Sequence, residues 1–216
     1  ALRANLDAVG AFSAVATDDH EAVGRVLLAL RQQQLLCALR EGEFGAEQAN
    51  FLMEAAFRSH PDGASEGDWY PGRSVMITRN DSATGLFNGD VGICLRHPDG
   101  NGGSQLKVWF DATQATAAPG SSEGGAARLR SFAPGGLPSH RGAFAMTIHK
   151  SQGSEYGSVA VLLPPATESR VLSRQLLYTA VSRARLAVSL WGGEDVVRGC
   201  IETAIHRSGT LASRLA

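Results

Sequence analysis

Two short stretches in the last third of this 216-residue chain concentrate groups able to bind, orient or neutralise phosphate. In Ala145-Met-Thr-Ile-His-Lys-Ser-Gln-Gly-Ser-Glu-Tyr156 an apolar run gives way to Thr147, His149, Lys150, Gln152 and Glu155. Hydroxyl and amide donors suit contacts to a phosphodiester backbone, and a planar ring can stack on a base. Gly153 allows a positive φ or the close approach of a ligand. The second stretch, Leu176-Leu-Tyr-Thr-Ala-Val-Ser-Arg-Ala-Arg185, reads as a helix that ends in two arginines. A guanidinium is permanently charged and forks onto phosphate or carboxylate. A third arginine, Arg40, closes the apolar run Leu36-Cys-Ala-Leu39.

One expected partner of such groups is missing. A Walker A loop reads G-x-x-x-x-G-K-[ST], its lysine on the β- and γ-phosphates and its hydroxyl on magnesium. The chain holds two lysines, Lys107 and Lys150. Val108 follows Lys107, and ahead of Lys150-Ser151 the glycine positions are Phe144 and His149. Without those glycines the backbone cannot wrap a phosphate. The sequence is therefore expected to supply half of a nucleotide site and, alone, no hydrolysis. Its start at Ala1 agrees with a segment of a longer protein.

The groups need a scaffold, and the periodicities describe an interrupted α/β pattern. Phe12 to Ala16 reads as a short strand, and Asp18 or Asp19 caps a helix carrying Val23, Val26, Leu27 and Leu30. Gln34 to Leu39 is a strand covered on both faces. Gly45 precedes a helix through Phe51, Leu52, Ala55 and Ala56, which Pro61 to Gly67 ends. From Trp69 the texture changes to short strands at Val75 to Ile77, Val91 to Leu95, Leu106 to Phe110 and Arg128 to Phe132. Turns at Asn88-Gly89 and Asp99 to Gly103 separate them. Thr113 to Ala127, rich in Ala, Gly, Ser and Thr, has no apolar period and reads as a mobile loop. The alternation resumes with strands at 143–148, 159–163 and 186–191 and helices at 173–184 and 195–205. That order builds a mainly parallel sheet, whose ligands collect at the carboxyl ends of its strands. The division expected is an α/β domain over 1–68 and 142–216, interrupted by a small β-barrel over 69–141 with a loop at 112–127.

Composition narrows the class. Twenty Lys and Arg against 21 Asp and Glu give a net charge of −1, so any nucleic-acid binding falls to a local groove. The two lysines leave arginine as nearly all of the positive charge, a bias that a GC-rich genome produces without any function. Cys37, Cys94 and Cys200 are far apart and sit among apolar neighbours. They read as reduced, buried thiols of a cytoplasmic protein, and no Cys/His spacing suggests a metal. No apolar run approaches the ~20 residues of a membrane helix, so no membrane role is expected.

Together, His149-Lys-Ser-Gln-Gly-Ser-Glu155 and Tyr178-Thr-Ala-Val-Ser-Arg-Ala-Arg185 closely resemble the fifth and sixth motifs of superfamily 1 helicases, in the wording of the RecD family. Leu36 to Gly42 resembles the fourth motif. Arg79-Asn-Asp81 and Leu86-Phe-Asn-Gly-Asp90 also match the RecD-like pattern, and that family carries an SH3-like barrel at this place. The resemblance implies a RecA-like fold, specifically the carboxy-terminal motor half of an ATP-dependent 5′→3′ DNA helicase. The parent enzyme implied is exodeoxyribonuclease V in double-strand-break repair by recombination. A stand-alone RecD-like helicase, a relaxase-linked helicase and a non-catalytic nucleic-acid-binding module with a degenerate motor fold share the same motifs.

By the same resemblance, Arg183 is an arginine finger on the γ-phosphate of ATP and Arg40 approaches that phosphate too. Gln152, Gly153 and Glu155 bind the nucleotide, Glu155 through its ribose. Thr147, His149 and Lys150 hold single-stranded DNA. Magnesium and most phosphate ligands fall to an amino-terminal RecA-like half of the same parent chain, and the beta and gamma subunits of a RecBCD complex are the implied partners. Each residue also has a plainer role open to it. Thr147 and His149 can hold the loop, Glu155 can cap its turn or pair with an arginine, and Arg40 can bridge to Glu41 or Glu43. Arg185 can pair at the helix end.

Overall fold

The computed structural model describes residues 18–58, 67–111, 129–165 and 171–204. The strand expected at 12–16, the break at 61–66, the loop at 113–127 and the last residue of the final helix lie outside these segments.

Helix α1 (His20–Leu30) begins where expected, the Asp19 carboxylate accepting from the Glu21 amide. Strand β1 (Gln33–Cys37) and helix α2 (Ala46–Arg58) follow. Five short strands come next: β2 (Ser74–Ile77), β3 (Val91–Pro98), β4 (Ser104–Asp111), β5 (Leu129–Phe132) and β6 (His140–Gly142). The chain then returns through β7 (Ala145–Thr147), β8 (Tyr156–Leu162), α3 (Arg174–Val181), β9 (Ala184–Trp191) and α4 (Glu194–Glu202). Strands β7-β1-β8-β9 form a parallel sheet, and β5-β4-β3-β2-β6 form an antiparallel one. The expected α/β class is what the chain builds, with an antiparallel five-stranded sheet between β1 and β7 where a small β-barrel was expected. β6 had no signal in the sequence beyond Arg141-Gly142 beside the next strand.

The parallel sheet buries Leu36, Val159 and Val161 with Leu176 and Ala180 of α3 and Val196 and Cys200 of α4. On its other face Leu35, Cys37 and Ala145 meet α2. The antiparallel sheet encloses a cluster of its own around Val75, Ile77, Cys94, Val108 and Phe110. Its strands also reach outward. Val23, Val26 and Leu27 of α1 pack on Ile93, Leu95 and Trp109, and Met76 enters the core of the parallel sheet. All three cysteines are free and buried, and burial pushes the Cys37 thiol up to about 11.

Helix α2 shows a different face from the one its large apolar residues suggest. Phe51 and Leu52 are exposed, while Ala46 and Asn50 are buried with Ala49 and Met53 against the sheet. The reason lies in Asn50. Its amide donates to the Ala145 carbonyl at 2.7 Å and accepts from the Ala145 N–H at 2.9 Å, closing the outer edge of β7 as a neighbouring strand would. Two buried backbone groups satisfied at once outweigh the transfer of two apolar side chains to the interior.

Candidate nucleotide and nucleic-acid site

The loop between β7 and β8 is built by local bonds. The Thr147 hydroxyl accepts from the Lys150 amide at 3.4 Å and caps a 3-10 turn over Ile148–Ser151. Ile148 and Ser151 point inward and are fully buried, the Ser151 hydroxyl donating to the Ile148 carbonyl at 2.7 Å. This anchoring leaves His149 and Lys150 exposed side by side. The Lys150 ammonium donates to the Asn88 side-chain oxygen at 3.2 Å, joining this loop to the one between β2 and β3. Gly153 takes φ +87°, a conformation that a side chain would strain.

Because β7, β1 and β8 run parallel, the two ends of this loop lie at opposite edges of the sheet. Thr147 is in register with Cys37 and Leu162 at the carboxyl edge, whereas Tyr156 pairs with Ala184 at the amino edge. The loop therefore starts among Thr147, His149 and Lys150 at one edge and delivers Glu155 to the other. Roughly 20 Å of strand separates the two edges. The loop thus leaves the sheet at the carboxyl end of β7, as expected, and re-enters it at the amino end of β8.

Arg183 also sits at the amino edge. Helix α3 ends at Val181 with Ser182 as its cap, so Arg183 follows the helix and Arg185 belongs to β9. Neither arginine is the helix end expected from the periodicity, because the β8–β9 ladder takes over the backbone. The Arg183 carbonyl accepts from Tyr156 N–H at 2.8 Å. Its guanidinium donates to the carbonyls of Thr179 at 3.3 Å and Ser154 at 3.2 Å and to the Ser182 hydroxyl at 3.1 Å. Arg185 bonds Glu155 at 2.7 and 2.8 Å, both contacts falling on Oε2. Of the roles open to Glu155 on sequence, pairing with an arginine is realised.

These residues line a cleft of about 480 Å³ between the two sheets. Gly153, Ser154, Glu155, Arg183 and Arg185 form one wall, and Gln34, Phe144 and Asp111 contribute to the rest. The Gln34 amide reaches the Phe144 carbonyl at 3.0 Å, and Arg31 bridges Asp111 across the sheets at 3.3 Å. Two guanidinium groups and one carboxylate on a half-open wall suit the phosphate and sugar of a nucleotide. No group of three His, Cys, Asp or Glu side chains that could hold a metal occurs among the described residues.

Arg40 is not brought to the cleft. It lies past the carboxyl end of β1, on the edge opposite Arg183, and its guanidinium donates to Glu47 at 2.8 Å with Glu41 at 3.8 Å. The Glu47 hydrogen bond and charge push its pKa above the usual arginine value. The plain reading of Arg40 as an ion pair is the one observed, with Glu47 rather than Glu43 as the main partner. The two arginines expected to share one phosphate do not face one site.

Asn50 and Gln34 escaped the sequence reading, although each positions the site. The available signal was polarity out of place: an amide inside the Ala46-Ala49-Met53 stripe, and another opening an apolar strand.

Comparison with known proteins follows the same lines. Residues 142–191 match the UvrD-like helicase C-terminal domain. The RecBCD enzyme subunit RecD of Mycolicibacterium smegmatis is 36% identical over 203 residues, covering 94% of this chain and 32% of that protein. The ATP-dependent RecD2 DNA helicase of Deinococcus radiodurans is 34% identical over 70% of this chain and 19% of its own length. A crystal structure of Bacteroides Pif1 helicase in complex with ADP-AlF3 and ssDNA aligns over 99% of this chain and 53% of that one, at 17% identity and a TM-score of 0.41. The chain thus spans about a third or less of the curated relatives it matches.

Proposed function

Starting from a RecD-like superfamily 1 helicase carboxy-terminal region, with a UvrD-like helicase C-terminal domain at residues 142–191, we propose that this chain is the second motor half of an ATP-dependent 5′→3′ DNA helicase. The parent is read as the alpha subunit of exodeoxyribonuclease V, acting with beta and gamma subunits in double-strand-break repair in the cytoplasm. Residues 1–68 and 142–216 would form the RecA-like half and 69–141 an SH3-like insertion. Among the described residues no helix is long and apolar enough to cross a membrane.

One observation carries this reading. A single loop runs from Thr147, His149 and Lys150 at one sheet edge to Glu155 at the other, where Arg183 bonds its Ser154 carbonyl. That layout suits a coupling element between a nucleic-acid site and a nucleotide site. In the mechanism proposed, His149 and Lys150 hold the DNA strand. ATP, bound when the amino-terminal half supplies its phosphate loop and magnesium ligands, is the source of free energy. Gln152 and Gly153 shape the wall, and the Oε1 side of Glu155 is directed to the ribose hydroxyl. Arg183 places fixed positive charge where negative charge develops on the transferring phosphoryl group. Residues 1–216 alone would hydrolyse no ATP.

The test is DNA-stimulated ATP hydrolysis by the full-length protein. His149→Ala with Lys150→Ala should remove most of the stimulation by single-stranded DNA while leaving the DNA-free rate unchanged. Undiminished stimulation in that variant would refute the coupling role of the loop.

A further inference from the structure

The loop between β2 and β3, residues 78–90, is unusually well fastened for a surface connection. Asp81 Oδ1 accepts from the amides of Ala83 at 2.8 Å and Thr84 at 3.1 Å, and Asp90 Oδ2 accepts from the Phe87 amide at 2.8 Å. Asn80 Oδ1 accepts from the Asn88 amide at 2.8 Å. Arg130 donates to the carbonyls of Thr84 and Gly85 from the far strand β5. Gly89, at φ +102°, turns the chain back into β3. Leu86 is buried at 2% exposure, and this anchor together with the bonds on either side leaves its neighbour Phe87 43% exposed.

A single exposed apolar side chain is ordinary. Phe87 differs in what surrounds it. The next residue, Asn88, takes the Lys150 ammonium at 3.2 Å, so Phe87 is the chain neighbour of the residue that joins this loop to the His149-Lys150 loop. Arg79 is exposed on the same loop. Asp81 and Asp90, the loop's own acids, are engaged with backbone N–H groups. An exposed aromatic ring on a fastened loop that also carries Arg79 and receives Lys150 has the composition of a stacking platform for single-stranded nucleic acid. The fastening adds to this, since a backbone already held in place loses little freedom when a base stacks on the ring it carries.

We propose that Phe87 stacks on a base of the single DNA strand held by His149 and Lys150, with Lys150 on the adjoining phosphate. The inference rests on the strand-binding role proposed for the 147–150 loop. It adds a residue of the antiparallel unit to the nucleic-acid surface, and it gives Asn88 the task of setting the spacing between ring and ammonium.

Binding of the 216-residue chain to a fluorescein-labelled 15-nucleotide oligo-dT, and to the same strand with abasic central positions, tests it at several salt concentrations. Phe87→Ala and Phe87→Leu should each weaken oligo-dT binding by about fivefold or more, in line with base–aromatic stacking. Phe87→Trp should restore it. On the abasic strand, wild type and Phe87→Ala should bind alike, and the salt dependence should not change with Phe87. Lys150→Ala should instead flatten the salt dependence by about 0.7 in slope on both strands. Wild-type binding by Phe87→Ala, or an equal loss on the abasic strand, would overturn the stacking assignment. A Lys150→Ala variant with an unaltered salt slope would overturn the loop reading on which it rests.

Discussion

Arg183 donates through Nη1 to the carbonyl oxygen of Ser154 at 3.2 Å, fastening the residue after α3 to the loop before β8. Neither group is distant in the fold, but 29 positions of sequence separate them. Any change in the loop's course at Ser154 must therefore be felt at the guanidinium, and any pull on the guanidinium must be felt in the loop. The contact makes the cleft wall at Arg183 and the loop between β7 and β8 parts of one mechanical unit.

Replacing Arg183 by Ala in the full-length protein is expected to lower kcat for DNA-stimulated ATP hydrolysis by about 10³ or more while ATP affinity stays near wild type. Lysine should recover little, because a point charge cannot reproduce the fork that reaches Thr179, Ser154 and Ser182 together. Arg40→Ala is the contrast. It sits on the opposite edge in an exposed pair with Glu47 and should leave turnover and melting temperature close to wild type. Near-normal hydrolysis by Arg183→Ala, or a severe defect in Arg40→Ala, would reverse the assignment.

Asn50→Ala should destabilise the chain by about 2–3 kcal/mol, since it leaves the buried N–H and C=O of Ala145 without partners. Asn50→Asp keeps the acceptor for the Ala145 amide but loses the donor, and should fare no better in a denaturant titration. If Asn50→Leu proved as stable as wild type, apolar packing rather than edge closure would explain the burial of this position.

Excising Trp69 to His140 with a short linker is expected to leave β1 and β8 protected in hydrogen exchange while releasing α1. The helix has its Val23, Val26 and Leu27 contacts with Ile93, Leu95 and Trp109 of the excised part. Loss of protection at Leu36 and Val161 would mean instead that Met76 and the shared core make the two sheets one cooperative unit.

The Cys37 thiol, raised from 9.0 to about 11 by burial, predicts an alkaline loss of stability. Below pH 9 both folded and unfolded chains keep the proton, so the contribution is flat. Between 9 and 11 the unfolded chain gives it up while the folded chain retains it, and stability falls by up to roughly 2 kcal/mol. Urea midpoints of wild type and Cys37→Ala should converge in their pH dependence below 9 and diverge above it. Parallel curves to pH 11 would show that the buried thiol ionises without cost.

Local pattern was enough to locate most helices and strands, because Val23, Val26 and Leu27 or the run Gln34 to Leu39 state their periodicity outright. Glu155 and Arg183, both singled out on sequence, line the same cleft. What failed was anything decided by pairing across the chain. Arg40 and Arg183 fall on opposite edges because β1 and β9 run parallel, a fact carried by register and invisible in either segment alone. The outward turn of Phe51 and Leu52 depends on where the Ala145 backbone lies, 95 positions from Asn50. Apolar residues are usually inside, but an unsatisfied amide pair is the dearer alternative.

The two ends of the parallel sheet are not equivalent. At β7 the Asn50 amide occupies the backbone where a further strand would bond, whereas β9 ends the strand order with Leu186 at 82% and Trp191 at 52% exposure. Growth of this sheet therefore has a polarity: another strand can join at β9 and is barred at β7. Among the described residues no strand pairs with this edge, which is rich in Leu, Val and Trp with Arg185 as the sole charge of β9, the composition of a template for association. Among the described residues, edge-to-edge pairing of this sheet is therefore open at β9 and closed at β7.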